Sequence, residues 1–323
     1  MITADLHCDI LSLPTLTGTD ISLRCTPDQL IRGQVGLQVC AMFAETTPKS
    51  IEELQKQNKV FLALPKQFSF FEPLGKENIH SLGEQTSFNN RILIIRAIEN
   101  ASGIATEKES MKNVIARLET ILAQGPLAYV SLVWNFANRF GGGALEPKAL
   151  TPDGKILLQE LDRLAIPVDL SHASAKLAED VLDYGANKLP TLMTVASHSN
   201  FLSVHNHPRN LRDDHAKEIA YRGGVIGLCV VKDFVGKSFD TLTKHIQKAI
   251  DLGIVQNLCM GADFFHSSPQ ENKFFPQCQN ASDYKMIRKL IADTIPDKKE
   301  QEGIIYHNAK TFLQKLFWKK CPL

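Results

Sequence analysis

The chain lacks the features that mark several large classes of protein. Its seven cysteines (Cys8, Cys25, Cys40, Cys229, Cys259, Cys278 and Cys321) are odd in number and never stand as CxxC, which excludes a disulfide scaffold or a cysteine zinc site as the organising element. They read as small core residues in a reducing compartment. Neither sign of charge dominates: 36 basic against 35 acidic residues leave +1, so no net field draws the chain to nucleic acid or an anionic membrane. No apolar run is long enough to span a bilayer, and no basic segment leads into an apolar leader. The expected location is the cytoplasm, and the expected partner is a small, roughly neutral molecule. Repeats, low-complexity tracts and linkers are missing too, so one domain over residues 1–323 is expected.

What is present is a regular alternation. With 44% hydrophobic residues the chain can bury a large core. Short β-rich runs alternate with amphipathic ones, the pattern of repeated βα units. The runs are "ITADLHCD" from Ile2, "VGLQVCAMF" from Val35, "RILIIRAIE" from Arg91, "LAYVSLVW" from Leu127, "IPVDLSH" from Ile166, "PTLMTVASH" from Pro190, "GVIGLCVV" from Gly224 and "NLCMGADF" from Asn257. Eight strands with interleaved helices close most economically into a (β/α)₈ barrel, the TIM barrel, whose active site forms where strands end. Thr151 with Pro152, Ser174 and Asp240 are expected helix starts, and Gly185, Gly223 and Gly253 expected stops. Residues 68–90 read as a polar, irregular insertion, and 283–323 as a helical tail packed across the barrel.

Residues with chemistry fall at the strand ends: His7 and Asp9 on the first, Glu99 on the third, His172 on the fifth, His198 on the sixth and Asp263 on the eighth. Alternation along a strand puts His7 and Asp9 on one face and sends Cys8 to the other, as packing. Three histidines and up to three carboxylates suit Zn²⁺ or a similar divalent ion, and a shared carboxylate could bridge two such ions. Two ions about 3.5–4 Å apart can hold a hydroxide and polarise a carbonyl. A lone strand-end histidine is ordinarily a satisfied structural residue, Glu99 in "ENASG" also fits a turn, and Asp263 in "GADFF" also fits a cap; the conjunction favours a site. His215 and His245 fall within helix patterns, His80 in the insertion and His307 in the tail, where packing or solvated roles are expected. His205, His207 and His266 sit on loops that could reach the mouth.

In this order, the stretches "DLHCD", "AIENASG", "ALTPDGKILLQELDRLAIPVDLSHAS", "SHSN", "HPRNLRDD", "RGGVIGL" and "GADF" resemble the membrane dipeptidase (renal dipeptidase) family of metallopeptidases over most of the chain. The resemblance implies an amidohydrolase-like barrel with two zinc ions, His7, Asp9 and Glu99 on one, His172 and His198 on the other, and Glu99 bridging. It implies Asp263 as the acid/base and Arg209 as the group facing the substrate's negative charge. The family hydrolyses dipeptides, tolerates a D-residue at the C-terminal position, and in some members opens β-lactam rings. The mechanism implied is attack by a metal-bridging hydroxide on the scissile carbonyl, with Asp263 passing the proton to the leaving amine. Family members are often homodimers. One departure stands out: where the best-known branch has a histidine that helps polarise the carbonyl, this chain reads "SLVWNFAN". Trp134 fits a pocket wall or a large core residue equally, and Asn135 could supply a hydrogen bond instead. The alternatives are a hydrolase of another amide, a lactone or a phosphoester on the same barrel, or a non-catalytic barrel, which should have lost a ligand or the acid/base.

Overall fold

A computed structural model describes residues 1–12, 22–79 and 88–319. Its strands are β1 (Thr3–Cys8), β2 (Val35–Phe43), β3 (Phe71–Pro73), β4 (Ile92–Glu99), β5 (Leu127–Ser131), β6 (Val168–Asp169), β7 (Thr194–Val195), β8 (Ile226–Leu228) and β9 (Leu258–Met260). They run in parallel in the order β7-β6-β5-β4-β2-β1-β9-β8. A parallel bridge between Ala196 and Ile226, with Gly227 N–H donating to Ala196 O at 2.7 Å, joins the ends of that order. The eight expected runs all contribute, and the fold is the expected (β/α)₈ barrel. Glycine is needed where it closes: a Cβ on Gly227 or Gly261 would lie 2.0 or 1.8 Å from Ser197 O.

The insertion is, among its described residues, less irregular than its composition suggests. It contributes β3, which pairs in parallel with Ile92–Ile94 of β4, while β5 pairs further along at Arg96 and Ile98. β2 occupies one edge of β4, so β3 fills the part of the other edge that β5 leaves open. His80 lies outside the described residues, as do Cys321 and the last residues of the tail.

Two of the local expectations need correction. Thr151 and Ser174 cap as expected, accepting from Gly154 and Leu177 N–H. Asp240 precedes the helix Thr241–Asp251 but makes no side-chain capping bond, because its own backbone is already helical. Gly223 and Gly253 stop their helices with φ of 74° and 72°. Gly185 does not stop its helix, which runs on to Lys188; its bare face instead admits the Arg222 guanidinium, 2.8 Å from where a Cβ would be.

The core has two parts. The larger, with Leu30, Leu54, Leu118, Leu157 and Leu177, lies between strands and helices. The smaller fills the barrel with Ile2, Ala4, Leu6, Leu37, Val39, Leu93 and Ile95, and the tail helix Asn308–Lys319 joins it through Phe312, Leu313 and Leu316. The tail thus plugs one end, and the other is left for polar side chains.

Candidate active site

The phase of β1 sets the direction of His7. Ile2, Ala4 and Leu6 point into the barrel, so strict alternation would send His7 outward. Instead β1 takes three steps from Asp5 to Cys8 while β2 takes two from Gln38 to Cys40. That extra residue resets the phase, turning His7 inward and Cys8 into the outer core. The expected relation of His7, Cys8 and Asp9 holds, by a bulge that the residue pattern does not reveal.

His7 and Asp9 meet Glu99, which ends β4, His172 after β6, His198 after β7 and Asp263 after β9. Glu99 spans the group: Oε2 is 3.3 Å from His7 Nε2 and Oε1 is 2.7 Å from His172 Nε2. His172 and His198 Nε2 atoms are 2.9 Å apart. His7 Nε2 lies 3.7 Å from Asp9 Oδ1 and 3.8 Å from Asp263 Oδ1. Ligand atoms converge within 4.8 Å in three sets, His7 with Asp9 and Glu99, Glu99 with His172 and His198, and His7 with His198 and Asp263. The backbone bends sharply at two of these places: Asp263 has φ 63°, and Asn100, next to Glu99, has φ 77°. Asn100 is tied down by its own side chain, which donates to Ala44 O and accepts from Ser102 N–H.

Each histidine has its Nδ1 occupied. Tyr129 donates its hydroxyl proton to Leu6 O at 2.8 Å, so it accepts from His7 Nδ1 at 2.7 Å. Ser197 Oγ lies 2.8 Å from His198 Nδ1, and Asn135 Oδ1 lies 3.0 Å from His172 Nδ1. All three Nε2 atoms therefore face the cluster, the arrangement metal-binding imidazoles require. The electrostatics call for a cation. Burial disfavours the His7 imidazolium, yet Glu99, Asp263 and Asp9 outweigh it and push that ring up to about 10. Burial and Arg209 lower His172 to about 4, and burial with His7 holds His198 well below the usual range. Two neutral rings at 2.9 Å, with their protons on Nδ1, would face lone pair to lone pair, a contact that a shared cation relieves. His7 Nε2 and Asp9 Oδ1 are buried without a hydrogen-bond partner among the described residues. Divalent ions fit this donor set.

Above the cluster opens a cleft of about 470 Å³, in the usual range for small-ligand sites, lined by Asp9, Glu99, His172, Asp263, Arg209 and Asn135, with Phe43, Trp134, Phe234 and Phe265 as aromatic walls. Trp134 packs 5.0 Å from Phe43 and 6.0 Å from His172, ring to ring, and lines the cleft. Arg209 is 4% exposed; its guanidinium lies over Phe234 at 5.2 Å and its Nη2 is 3.2 Å from His172 Nε2. Its Nε and Nη1 are buried with no partner among the described residues. Burial, then the charge of Glu99, pushes Asp263 up to about 7, against the pull of His7 and Arg209.

Of the loop histidines, His266 lines the cleft, His205 bonds Asp233 O, and His207 packs on Phe234 while accepting from Arg209 N–H. His215 and His245 are buried, and His307 belongs to the tail. Sequence reasoning did not find Tyr129, Asp169, Ser171 and Ser197 behind the ligands, nor Asp233 and Lys273 in the cleft. Their partners lie on other strands and loops, so no spacing marks them.

A profile of the family described as Membrane dipeptidase (Peptidase family M19) matches residues 1–315. The chain belongs to the M19 membrane dipeptidase family. Among relatives, this M19 chain is 28% identical over 247 residues to an uncharacterized dipeptidase of Schizosaccharomyces pombe, covering 73% of the chain and 54% of that protein. It is 27% identical to the dipeptidase verJ of Clonostachys rogersoniana, covering 67% and 54%. The chain thus spans about half the length of these curated relatives. Among solved structures it resembles a metallopeptidase from Rhodobacter sphaeroides, liganded with a phosphinate mimic of the dipeptide L-Ala-D-Ala, at TM-score 0.83 and 18% identity over 98% of this chain and 99% of that one. The probable dipeptidase PvdM from Pseudomonas aeruginosa gives TM-score 0.76 and 14% identity over 98% and 95%. At such identities these two bear on the fold. No helix among the described residues is long and apolar enough to cross a membrane.

Proposed function

We propose that this chain is a dinuclear zinc dipeptidase that accepts a D-residue at the C-terminal position. The observation that carries the reading is the Glu99 carboxylate offering one oxygen to His7 and the other to His172, between two sets of inward Nε2 atoms. His7, Asp9 and Glu99 would hold one ion, and Glu99, His172 and His198 the other. Bound there, zinc would supply Lewis-acid polarisation of a carbonyl and a nucleophile at neutral pH.

The chain's own groups do the rest. Asp263 stands beside His7, and a carboxyl near 7 can take a proton at Oδ1 and return it to a leaving amine within one cycle. Arg209 presents unpartnered nitrogens to an α-carboxylate, which places a short peptide and excludes the middle of a long one. Trp134 and Phe43 wall the cleft and limit water there. Asn135 serves through His172 rather than through the substrate. Tolerance of the D-residue rests on the resemblance and on the L-Ala-D-Ala mimic carried by the Rhodobacter sphaeroides protein. A cytoplasmic setting is supported by the six buried free thiols among the described residues. Pairing of two copies rests on the resemblance, and sedimentation checks it.

A panel of L,L and L,D dipeptides assayed with Zn²⁺ tests the reading. Asp263→Asn should lower turnover by about 10²–10⁴-fold with metal content unchanged. Absence of turnover on every dipeptide, in protein shown to carry its metal, overturns it.

A further inference from the structure

We propose that Asp169 and Ser197 act as a positioning pair that fixes the His198 imidazole with its proton on Nδ1, so that Nε2 is bare toward the metal cluster. The inference rests on the metal reading above, and neither residue is itself among the candidate ligands.

Asp169 ends β6 and is 2% exposed. Its carboxylate accepts five hydrogen bonds. Oδ1 receives Ser171 N–H at 3.2 Å, Ser171 Oγ–H at 2.8 Å and Ser197 N–H at 2.8 Å. Oδ2 receives Ser131 Oγ–H and Ser197 Oγ–H, each at 2.8 Å. A serine hydroxyl has one proton. With that of Ser197 given to the carboxylate, Ser197 Oγ can only accept from His198 Nδ1, at 2.8 Å. The ring's remaining nitrogen is then a lone pair, 2.9 Å from His172 Nε2. Ser171 holds the other end of the residue, accepting from His198 N–H at 3.0 Å. One carboxylate therefore joins β5, β6 and the turn after β7, and sets the ring and the backbone of His198 together.

The three cluster histidines differ in what stands behind them. His7 leans on a tyrosine whose proton goes to a neutral carbonyl, and His172 on a neutral amide. Among the described residues, His198 is the one whose partner is hydrogen-bonded directly to a carboxylate, which polarises the hydroxyl and makes Nε2 the better donor to a cation. Asp169→Asn inverts this logic. An amide N–H facing Ser197 Oγ takes up the oxygen's acceptor role, the hydroxyl proton turns to His198 Nδ1, and the ring proton moves to Nε2, where it blocks the metal.

Zn²⁺ affinity is measured on the full chain by competition with a chromophoric chelator, alongside imidazole ¹⁵N spectra of the metal-stripped protein. One equivalent should bind about 10–100-fold more weakly in Asp169→Asn and Ser197→Ala, with the other unchanged and Ser197→Thr close to wild type. The His198 ring should read as the Nδ1–H tautomer in wild type and the Nε2–H tautomer in Asp169→Asn. Wild-type affinity in Ser197→Ala, equal weakening of both equivalents with no rescue by threonine, or an Nε2–H ring in the wild type each overturns the proposal. Should Asp169→Asn fail to fold, the serine variants and the wild-type spectrum still decide it. Failure of the wild type to bind any zinc refutes the metal reading instead, and the tautomer result stands apart from it.

Discussion

Arg96 and Arg209 are both buried, and their surroundings have opposite character. Arg96, 1% exposed, gives Nη1 to Asn58 Oδ1 and Nη2 to Ile121 O at 2.8 Å and Gly125 O at 2.9 Å, at and just past the end of the helix Met111–Leu122, so that among the described residues only its Nε is without a partner. Arg209, 4% exposed, has one nitrogen against a histidine ring nitrogen and two with no partner among the described residues. The histidines divide the same way. His245 accepts Phe201 N–H on Nδ1 and gives Nε2–H to Val235 O, whereas His7, His172 and His198 turn Nε2 to one another and to carboxylates. Burial alone does not separate structure from site. What separates Arg96 from Arg209, and His245 from the mouth histidines, is how far the chain completes the group's hydrogen bonding, because an incomplete buried group costs stability unless something from outside completes it.

The most forceful way to break this contrast is to remove a group from the incomplete set. His7→Asn should lose metal on the His7, Asp9 and Glu99 side by more than the roughly 10–100-fold typical of losing an outer partner, and dipeptide turnover should go with it. Circular dichroism of the metal-free variant should still report a folded barrel, since the neighbouring apolar positions, Leu6 and Cys8, pack in the two cores independently. Loss of the fold before loss of the metal would place His7 on the structural side.

The sequence separates the two sets only in part. "HCD" announces ligands because alternation puts both polar residues on one face, and Glu99, His172, His198 and Asp263 are legible because each ends an apolar run. Eight runs were enough for the barrel. The bulge between Asp5 and Cys8 was not legible, since it arises from pairing with β2. Nor were the partners on Nδ1: Tyr129 in "LAYVS", Asp169 in "VDLS" and Ser197 in "ASHS" look like ordinary strand polarity until strands are set side by side. Gly185 misled because its use lies in the Arg222 contact across to another helix, while local propensity suggests only a stop.

The arginine pair sharpens the contrast with one substitution made twice. Arg209→Met removes the charge-assisted contact to an α-carboxylate, worth about 1.5–3 kcal/mol, so kcat/KM on dipeptides should fall about 10–150-fold. Its unfolding free energy should hold or rise, because a buried charge with bare nitrogens is replaced by an apolar chain. Arg96→Met should do the reverse, with kinetics retained and stability down by about 3 kcal/mol as Gly125 O and Asn58 lose their donor and Ile121 O keeps the Gln124 N–H. Urea unfolding and a dipeptide assay on both variants check this. Equal stability losses, or equal kinetic losses, would erase the distinction.

The smallest effect concerns His245, the completed counterpart of the mouth histidines. Burial, opposed by its bond to Val235 O, lowers its ring to about 4 from an unfolded value of 6.5. Between those values the unfolded chain binds a proton that the native state refuses, so the contribution to stability is full above about 6.5 and is lost as pH falls toward 4. The size is about 3 kcal/mol at most. His7 has the opposite sign in a separate window: its ring is raised to about 10, so its contribution is full below 6.5 and is lost as pH rises through 10. Asp5 and Asp263, raised to about 6 and about 7 by burial, slope against His245 at acid pH, so the wild-type curve alone mixes them. The difference between wild type and His245→Gln, measured by urea unfolding of metal-free protein from pH 4.5 to 7, isolates the ring. That difference should widen with pH up to about 6.5 and then level. A difference independent of pH would mean that burial does not hold the ring neutral, and His245 would leave the completed set.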